Sequence, residues 1–220
     1  MTDGRFIVLE GIDGSGKTTH FERLAAHLRA LSHDVVTVEE PGGTEVGERL
    51  RELILDAGGT LAPLSELLML EASRHELVCR RIRPALERGA IVLSHRYDYS
   101  SIAYQGYGRG LDIALIRRLN AEATGDLRPD LVLWLDLPAE VARQRLHGAR
   151  VPDRLEGEGS AFLQRVADGY RALAHECPEM VRMDANQPVD DLFQQLLETI
   201  EHETSLPMAS GEGGFHGISM

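Results

Sequence analysis

The chain has 220 residues, of which 43% are hydrophobic and 26% are charged, the composition of an ordinary globular protein. Its net charge of −12, from 23 basic and 35 acidic residues, argues against a protein that binds nucleic acid through the phosphates. No apolar run approaches the roughly 20 residues of a membrane helix, and the N-terminus lacks the form of a signal peptide. The two cysteines, Cys79 and Cys177, match no metal spacing, and these features together predict a cytoplasmic protein with no membrane or nucleic-acid partner.

Short apolar runs alternate with longer amphipathic segments along the chain. In chain order, this pattern predicts a strand at 5–11, a helix at 20–32, a strand at 34–40, helices at 44–55 and 61–89, a strand at 90–95, a helix at 112–124, a strand at 130–136, helices at 139–148 and 162–176, a strand at 180–184 and a helix at 189–203. In the long helix, Pro63 suits the first turn and Pro84 is expected to introduce a bend.

The predicted strands are nearly continuous runs of Val, Ile and Leu, which is typical of strands buried on both faces. Because helices separate them, the pattern predicts an α/β fold, with a doubly wound parallel sheet flanked by helices. Residues 1–204 are expected to form one domain. The tail at 205–220 has no periodicity and is expected to be disordered.

The sequence GIDGSGKT, residues 11–18, lies between the first predicted strand and the first predicted helix. Its glycines allow backbone N–H groups to surround phosphate oxygens at the positive end of the following helix. Lys17, the only lysine beside 22 arginines, is expected to reach the terminal phosphates of ATP, and Thr18 is expected to bind Mg²⁺. The predicted triphosphate site comprises Gly11, Asp13, Gly14, Ser15, Gly16, Lys17, Thr18 and Thr19.

A phosphate loop by itself is shared by kinases, GTPases, ATPase motors and regulatory switches. The chain contains no NKxD motif, with which a GTPase normally reads its base, and Asp136 is only a weak candidate for the Walker B carboxylate of a motor. The class of protein therefore depends on the remaining segments.

Four further segments follow the loop: EEPGGT at 39–44, EASRHELV at 71–78, SHRYDYSSIAYQGYGRG at 94–110 and RVPDRLEGEG at 150–159. Together with the phosphate loop, they resemble bacterial thymidylate kinases over residues 5–203. The resemblance implies a P-loop NTPase fold with a lid at about 149–160 and a kinase that moves the γ-phosphate of ATP, with Mg²⁺, to dTMP. The products are ADP and dTDP, for dTTP synthesis. It also implies a homodimer formed through helices, for which the apolar face of 61–79 is a candidate.

The resemblance assigns roles on the acceptor side. The turn at Glu40 and Pro41 abuts the monophosphate, and this proline is commonly cis. The nucleoside pocket is implied to include Leu70, Arg74, Ser101, Tyr104 and Gln105. Arg74 meets the thymine edge and Tyr104 crowds a ribose 2′-OH, although Arg74 by itself would also fit a snorkelling surface arginine. Arg96 follows a buried strand and carries a planar guanidinium suited to phosphate, and by resemblance it clamps the transferring and acceptor phosphates.

No arginine occupies the variable positions of the phosphate loop, so the charge of the transition state must be neutralised from elsewhere. By resemblance, Arg150 and Arg154 of the lid supply this charge, and Asp153 and Glu156 match the acids of the lid. Asp13 is expected near the acceptor sugar or the Mg²⁺ shell. Without the resemblance, the lid segment would equally fit a solvated loop.

Three positions depart from the family pattern. His95 stands where the family has an aspartate that helps to hold Mg²⁺ or accepts a proton, Glu39 stands where arginine is usual, and Leu70 replaces a phenylalanine that stacks on the base. Imidazole is a poor Mg²⁺ ligand, but a neutral histidine can accept a proton near pH 7. We therefore expect reduced or rerouted transfer, with catalytic residues Lys17, His95, Arg96, Arg150 and Arg154. Two alternatives stay open: a kinase for another pyrimidine monophosphate, and a catalytically weakened nucleotide-binding protein.

Overall fold

The computed structural model describes residues 4–55, 61–146 and 159–208, which build an α/β fold around a five-stranded parallel sheet. The strands are β1 (Arg5–Glu10), β2 (Val35–Glu39), β3 (Ile91–His95), β4 (Leu131–Asp136) and β5 (Met180–Asp184), in the order β2-β3-β1-β4-β5. Nearly all side chains of the three central strands are buried, as their unbroken apolar runs predict. All five predicted strands and the parallel, helix-flanked sheet are confirmed.

The helices are α1 (Lys17–Ala30), α2 (Glu45–Leu55), α3 (Pro63–Leu77), α4 (Arg83–Glu87), α5 (Asp98–Ser101), α6 (Ile113–Thr124), α7 (Ala139–Leu146), α8 (Ser160–Glu176) and α9 (Val189–Thr204). Helix α1 begins inside the phosphate loop, three residues before the predicted start. Helix α5 and the π-helical turn at Ile102–Gly108 occupy a segment for which the sequence predicts no element. Two glycines and a mixture of aromatic and polar residues interrupt the spacing of apolar residues by which a helix is predicted.

The long helix predicted at 61–89 consists of three consecutive pieces: α3, a π-helical turn at Val78–Ile82, and α4. Pro63 lies in the first turn of α3, as expected. Pro84 has no N–H to donate to the carbonyl four residues earlier, and its ring would crowd that carbonyl. The π-helical turn ends two residues before Pro84, so the regular α-helical pattern is interrupted just ahead of the position where the bend is expected.

The strand order brings the phosphate loop to the middle of one edge of the sheet. Strand β1 lies between β3 and β4, and the chain visits β2 and β3 on one side of β1 before it crosses to β4 on the other. Open α/β sheets bind ligands at such a switch point, outside the carboxyl ends of the strands. The residues that follow β1, β2 and β3 therefore meet at this edge.

The two segments predicted to lack regular structure are only partly described. Arg150, Asp153, Arg154 and Glu156 of the predicted lid lie outside the described residues, whereas Gly159 is the N-cap of α8 and Ser160 its first residue. The chain is packed as far as Met208, which is 4% exposed and whose carbonyl oxygen lies 2.7 Å from Nε2 of His27. Ordered structure therefore extends four residues into the tail predicted from 205.

One further property of the helices is their length together with their hydropathy. Within the described ranges, none combines the length and the apolarity that a membrane crossing requires.

Candidate active site

The phosphate loop turns tightly between β1 and α1. Gly11 and Gly16 have φ angles of 142° and 91°, and a Cβ on Gly11 would lie 2.6 Å from the carbonyl oxygen of Leu135. Lys17, the first residue of α1, donates from Nζ to the carbonyl oxygens of Gly11 and Ile12, each at 2.9 Å. The loop therefore joins a buried ammonium group to the amino end of a helix, an arrangement that binds anions.

Burial destabilises the protonated, charged form of Lys17. Its side chain is 4% exposed, and burial together with the charge of Arg96 lowers the pKa of the ammonium group to about 7. The carboxylates of Asp13 and Glu10 oppose this shift, and Oδ1 of Asp13 lies 3.7 Å from Nζ. An anion bound in the loop would stabilise the protonated lysine, so the charge balance of the loop favours a phosphate.

Arg96 points at the phosphate loop from the end of β3. Its backbone has a φ of 75°, which is strained for a residue with a side chain. Its Nη2 contacts Oδ1 of Asp13 and donates to the Tyr104 hydroxyl at 3.0 Å, and its Nη1 donates to the carbonyl oxygen of Gly11 at 3.2 Å. The guanidinium group predicted to bind phosphates therefore lies beside the loop that would hold a triphosphate.

Asp13 is the counterion of Arg96. Burial raises the pKa of Asp13, but the charges of Arg96 and Lys17 lower it by more, together with a hydrogen bond of 2.8 Å from the Tyr104 hydroxyl. The pKa therefore lies well below its usual range, and Asp13 is a carboxylate at neutral pH. Because a phosphate would also be negatively charged, it would compete with Asp13 for the same guanidinium group.

A buried carboxylate that the sequence analysis missed holds this arrangement in place. Glu10, the last residue of β1, is fully buried and accepts hydrogen bonds from the backbone N–H groups of Tyr97 (2.8 Å) and Ser100 (3.2 Å). The hydroxyls of Ser100 and Tyr170 also donate to it, each at 2.7 Å, and both lie within 3.4 Å of Nη1 of Arg96. The signal in the sequence was an acid that ends an apolar strand directly before the glycine loop.

His95 and Glu39 are register partners at the ends of β3 and β2. Nδ1 of His95 lies 4.0 Å from a carboxylate oxygen of Glu39 and finds no hydrogen-bond partner in the described part of the chain, and Nε2 lies 3.5 Å from the Thr18 hydroxyl. Burial and the charges of Lys17 and Arg96 lower the pKa of His95 to about 2, so the imidazole is uncharged. So weak a base argues against the expectation that His95 accepts a proton near pH 7.

Arg74 lies at the centre of a buried polar network. It is 2% exposed, so the interpretation as a snorkelling surface arginine is wrong. All five of its N–H groups donate hydrogen bonds, to a carboxylate oxygen of Glu40 (2.8 Å) and of Glu71 (2.7 Å), Oδ1 of Asn120 (3.0 Å), the hydroxyl of Ser101 (3.0 Å) and the carbonyl oxygen of Tyr97 (3.3 Å). A contact with a base must share or displace one of these bonds, of which the bond to Tyr97 is the longest.

The carboxyl groups around Arg74 outnumber the charge it carries. Glu40, which a cis peptide bond joins to Pro41, is 5% exposed, and burial raises its pKa to about 7 against the opposing charge of Arg74. Burial likewise raises the pKa of Asp98 to about 7. Oε1 of Glu40 is buried and meets no hydrogen-bond donor among the described residues. Part of this cluster is therefore protonated near neutral pH.

A cavity of about 610 Å³ joins the phosphate loop to the acceptor side. The predicted site residues that line it are Asp13, Gly14, Gly16, Lys17, Thr18, Thr19, Glu40, Pro41, Leu70, Arg74, His95, Arg96, Ser101, Tyr104 and Gln105. Gly11 and Ser15 belong to the loop but not to the cavity wall. Arg51 and Arg145 also line the cavity, and the sequence analysis missed both, because an arginine on an amphipathic helix carries no distinguishing signal.

The fold and the site define a P-loop nucleotide-binding protein of the phosphotransferase type. The loop after β1 suits a triphosphate, and the same cavity continues past Arg96 into a pocket with room for a second ligand. A hydrolytic switch would not need this second pocket.

Comparison with known proteins identifies the family. Residues 9–196 match the thymidylate kinase family. The chain is 48% identical over 197 residues to a thymidylate kinase of Deinococcus radiodurans, covering 89% of this chain and 96% of that protein, and 45% identical over 203 residues to one of Alkalilimnicola ehrlichii, covering 91% and 94%. The crystal structure of a thymidylate kinase from Ehrlichia chaffeensis matches with a TM-score of 0.76 at 32% identity, over 90% of this chain and 98% of that chain. The chain belongs to the thymidylate kinase family, as its motifs indicate.

Proposed function

We propose that the protein is a nucleoside monophosphate kinase that transfers the γ-phosphate of ATP to dTMP, giving ADP and dTDP on the route to dTTP. The observation that carries this proposal is the pair of cations, Lys17 and Arg96, that line one cavity from neighbouring strand ends. One cation suits the donor phosphates and the other suits the acceptor phosphate, as in-line phosphoryl transfer requires. Relatives named thymidylate kinases, matched over most of their length, support the choice of dTMP.

The donor and acceptor phosphates meet between the loop and Arg96. The loop N–H groups and Lys17 hold the donor phosphates, and Arg96 holds the phosphate of dTMP. Asp13 orients Arg96 by pairing with its guanidinium group. When dTMP binds, its phosphate replaces Asp13 at part of that group. Catalysis then consists of positioning the reactants and neutralising charge, because the protein forms no covalent bond to the transferred phosphoryl group.

The nucleoside of dTMP occupies the other end of the cavity. Arg74 and Gln105 face the edge of the base, Leu70 provides apolar contact, and Ser101 lies beside the sugar, with Glu40 and Pro41 near the phosphate. The Tyr104 hydroxyl is held by Arg96 and Asp13, so its ring stays where it would crowd a 2′-OH. This arrangement favours a deoxyribonucleotide.

Mg²⁺ fits the residues around Thr18. The Thr18 hydroxyl is exposed in the cavity directly after Lys17. The described residues hold no group of three or more His, Cys, Asp or Glu side chains suited to a metal, and Mg²⁺ in kinases is commonly held by few protein ligands together with substrate phosphates. Thr18 would supply such a ligand, and the ion would neutralise charge on the donor phosphates.

The remaining parts of the proposal concern the lid, the oligomer and the location. Arg150 and Arg154 close over the phosphates, and closure excludes water so that ATP is not hydrolysed. A homodimer would cover an apolar surface on the adjacent helices α2 and α3, whose exposed members are Val46, Leu53, Leu64 and Leu68. The net charge of −12 is consistent with a cytoplasmic protein that has no nucleic-acid partner.

A coupled ADP-release assay against a panel of nucleoside monophosphates tests this function. We expect dTMP to give the highest kcat/KM, and Lys17→Ala to lower kcat by about 100-fold or more because it removes a charge aimed at the transferring group. Arg29→Ala, at an exposed residue near the end of α1, serves as the control and should leave turnover unchanged. The proposal would be contradicted if another monophosphate gave a higher kcat/KM than dTMP, or if Lys17→Ala kept normal turnover.

A further inference from the structure

A carboxylate behind the nucleoside end of the cavity determines which end of the Gln105 amide faces the ligand. Gln105 lies in the π-helical turn at Ile102–Gly108, is 1% exposed and lines the cavity, as Leu70 does. Its amide nitrogen Nε2 donates to Oε1 of Glu66 at 2.7 Å. Glu66 is fully buried in the first turn of α3, one helical turn before Leu70, and it does not line the cavity.

The chemistry of the two groups fixes the direction of this hydrogen bond. An ionised carboxylate only accepts hydrogen bonds, so it must face the nitrogen of the amide and not its oxygen. Reversing the amide would bring two oxygen atoms to 2.7 Å with no hydrogen between them. Arg109 holds the carboxylate in place, with Nε at 3.4 Å from Oε1 and Nη2 at 3.3 Å from Oε2. Glu66 therefore acts as a rigid acceptor that orients Gln105.

The orientation of the amide leaves its carbonyl oxygen for a ligand. No residue in the described ranges donates a hydrogen bond to that oxygen, whereas the nitrogen is already bound to Glu66. A carbonyl oxygen accepts hydrogen bonds and cannot donate them. The base that pairs with it must therefore present an N–H group.

We propose that Glu66 is a positioning residue that sets the base selection of the kinase, an inference that rests on the proposed function. Thymine and uracil carry a hydrogen on N3, which the Gln105 carbonyl oxygen accepts. Cytosine carries a lone pair on N3, which would face the carbonyl oxygen in a buried site. A site built to pair with an N–H group rejects an analogue that lacks it, because the buried acceptor is then left without a partner.

The variant Glu66→Gln tests this role. It keeps the size of the side chain and an oxygen for Arg109, and it adds an NH₂ group that can donate to Gln105. Gln105 can then reverse and present its own NH₂ group to the base. The substrates to compare are dTMP and 5-methyl-dCMP, which share the 5-methyl group and differ at N3 and at C4. We expect the ratio of kcat/KM for dTMP over 5-methyl-dCMP to fall by about 10-fold or more, with a gain on 5-methyl-dCMP.

Two controls separate orientation from general damage. In the Gln105→Ala background, Glu66→Gln should leave the ratio unchanged, because the side chain through which Glu66 acts is gone. Glu179→Gln is a matched control: Glu179 also accepts from a side chain, the Tyr99 hydroxyl, and pairs with Arg128, but it lies away from the cavity. Its ratio should match the wild type. Equal falls for both substrates in Glu66→Gln, or a changed ratio in the Gln105→Ala background, would overturn the inference.

Binding measurements distinguish this inference from the proposed function. Dissociation constants of dTMP and 5-methyl-dCMP, measured by calorimetry, should show the same shift in ratio without any turnover. A wild type that prefers dTMP in binding but phosphorylates no monophosphate would overturn the proposed function and support the role of Glu66. A wild type that phosphorylates dTMP but binds both nucleotides equally would overturn the role of Glu66 and leave the kinase function standing.

Discussion

Replacing His95 by aspartate, the residue usual at this position in the family, tests how the charges at the ends of β2 and β3 depend on each other. Glu39 is the register partner of His95, and its carboxylate lies 4.0 Å from Nδ1 of the imidazole. Aspartate at position 95 therefore brings a second carboxylate beside the first. Arg51, at 3.0 Å from Glu39, offsets only part of the repulsion.

The size of the effect follows from the geometry. Two unit charges about 5 Å apart interact by about 0.8 kcal/mol in water and by about 3 kcal/mol at an effective dielectric constant of 20. The side chain of Glu39 is 50% exposed and that of His95 is 13% exposed, so the pair lies between these limits. We expect a repulsion of about 1 to 2 kcal/mol, which corresponds to roughly 5- to 30-fold in rate if it displaces the new carboxylate.

Four proteins separate the effects in a coupled ADP-release assay with dTMP: the wild type, His95→Asp, Glu39→Arg and the double variant. We expect measurable wild-type turnover, which rises in His95→Asp because a carboxylate suits a Mg²⁺-phosphate site better than imidazole. The change in rate in the double variant should exceed the product of the two single changes by at least roughly 5- to 30-fold, because the double variant removes the repulsion and also places opposite charges side by side. Glu45→Arg, a charge reversal at a side chain that is 84% exposed, is the control and should not couple to position 95.

Two outcomes would count against this reasoning. If the single effects add within about 0.5 kcal/mol, the two positions are independent and the repulsion estimate is refuted. If His95→Asp lowers turnover in both backgrounds, the imidazole itself contributes to the transfer.

Two further predictions concern the buried carboxyl groups around Arg74. Because the pKa of Glu40 is raised from 4.5 to about 7, the folded protein keeps a proton that the unfolded chain releases, so the free energy of unfolding should fall by up to about 3 kcal/mol as the pH rises through that window. Glu40→Gln should flatten this fall in urea titrations at pH 5 and pH 8, and an unchanged slope would contradict the assignment. Arg74→Met should lower stability at pH 8 by about 3 to 5 kcal/mol because it leaves buried carboxylates unpaired, whereas Arg88→Met, at an exposed ion pair with Asp34, should cost less than about 1 kcal/mol. A loss below about 1 kcal/mol in Arg74→Met would show that the network is not held by its charge.

The sequence by itself determined the fold class and the donor half of the site. A parallel strand buried on both faces must be apolar along its whole length, so the three central strands could be predicted from short windows. The edge strands β2 and β5 are less buried, and their prediction depended on the alternation of short apolar runs with helices. The phosphate loop is equally local, because Gly11 to Thr18 are consecutive and their spacing alone specifies the turn and the helix that follows.

The acceptor half of the site could be predicted only in part from the sequence. The motifs identified Arg74, Arg96 and Gln105 through their resemblance to a family, whereas the local pattern at Glu10 was not specific and none marked Glu66. An acid at the end of an apolar strand, or in the first turn of a helix, is usually a surface residue. Only the packing of distant elements makes these two carboxylates buried acceptors, and only their burial gives them control over neighbouring side chains.

Only the tertiary structure shows that Glu39 and His95, which both differ from the residues usual in the family, lie side by side and interact. They are far apart in the sequence, where each is an isolated substitution of the family pattern. Parallel pairing of β2 with β3 makes them neighbours, so a change of charge at one position alters the cost of a charge at the other. The register of the strands is set by the packing of the whole sheet, and a window of sequence around either residue does not contain that information.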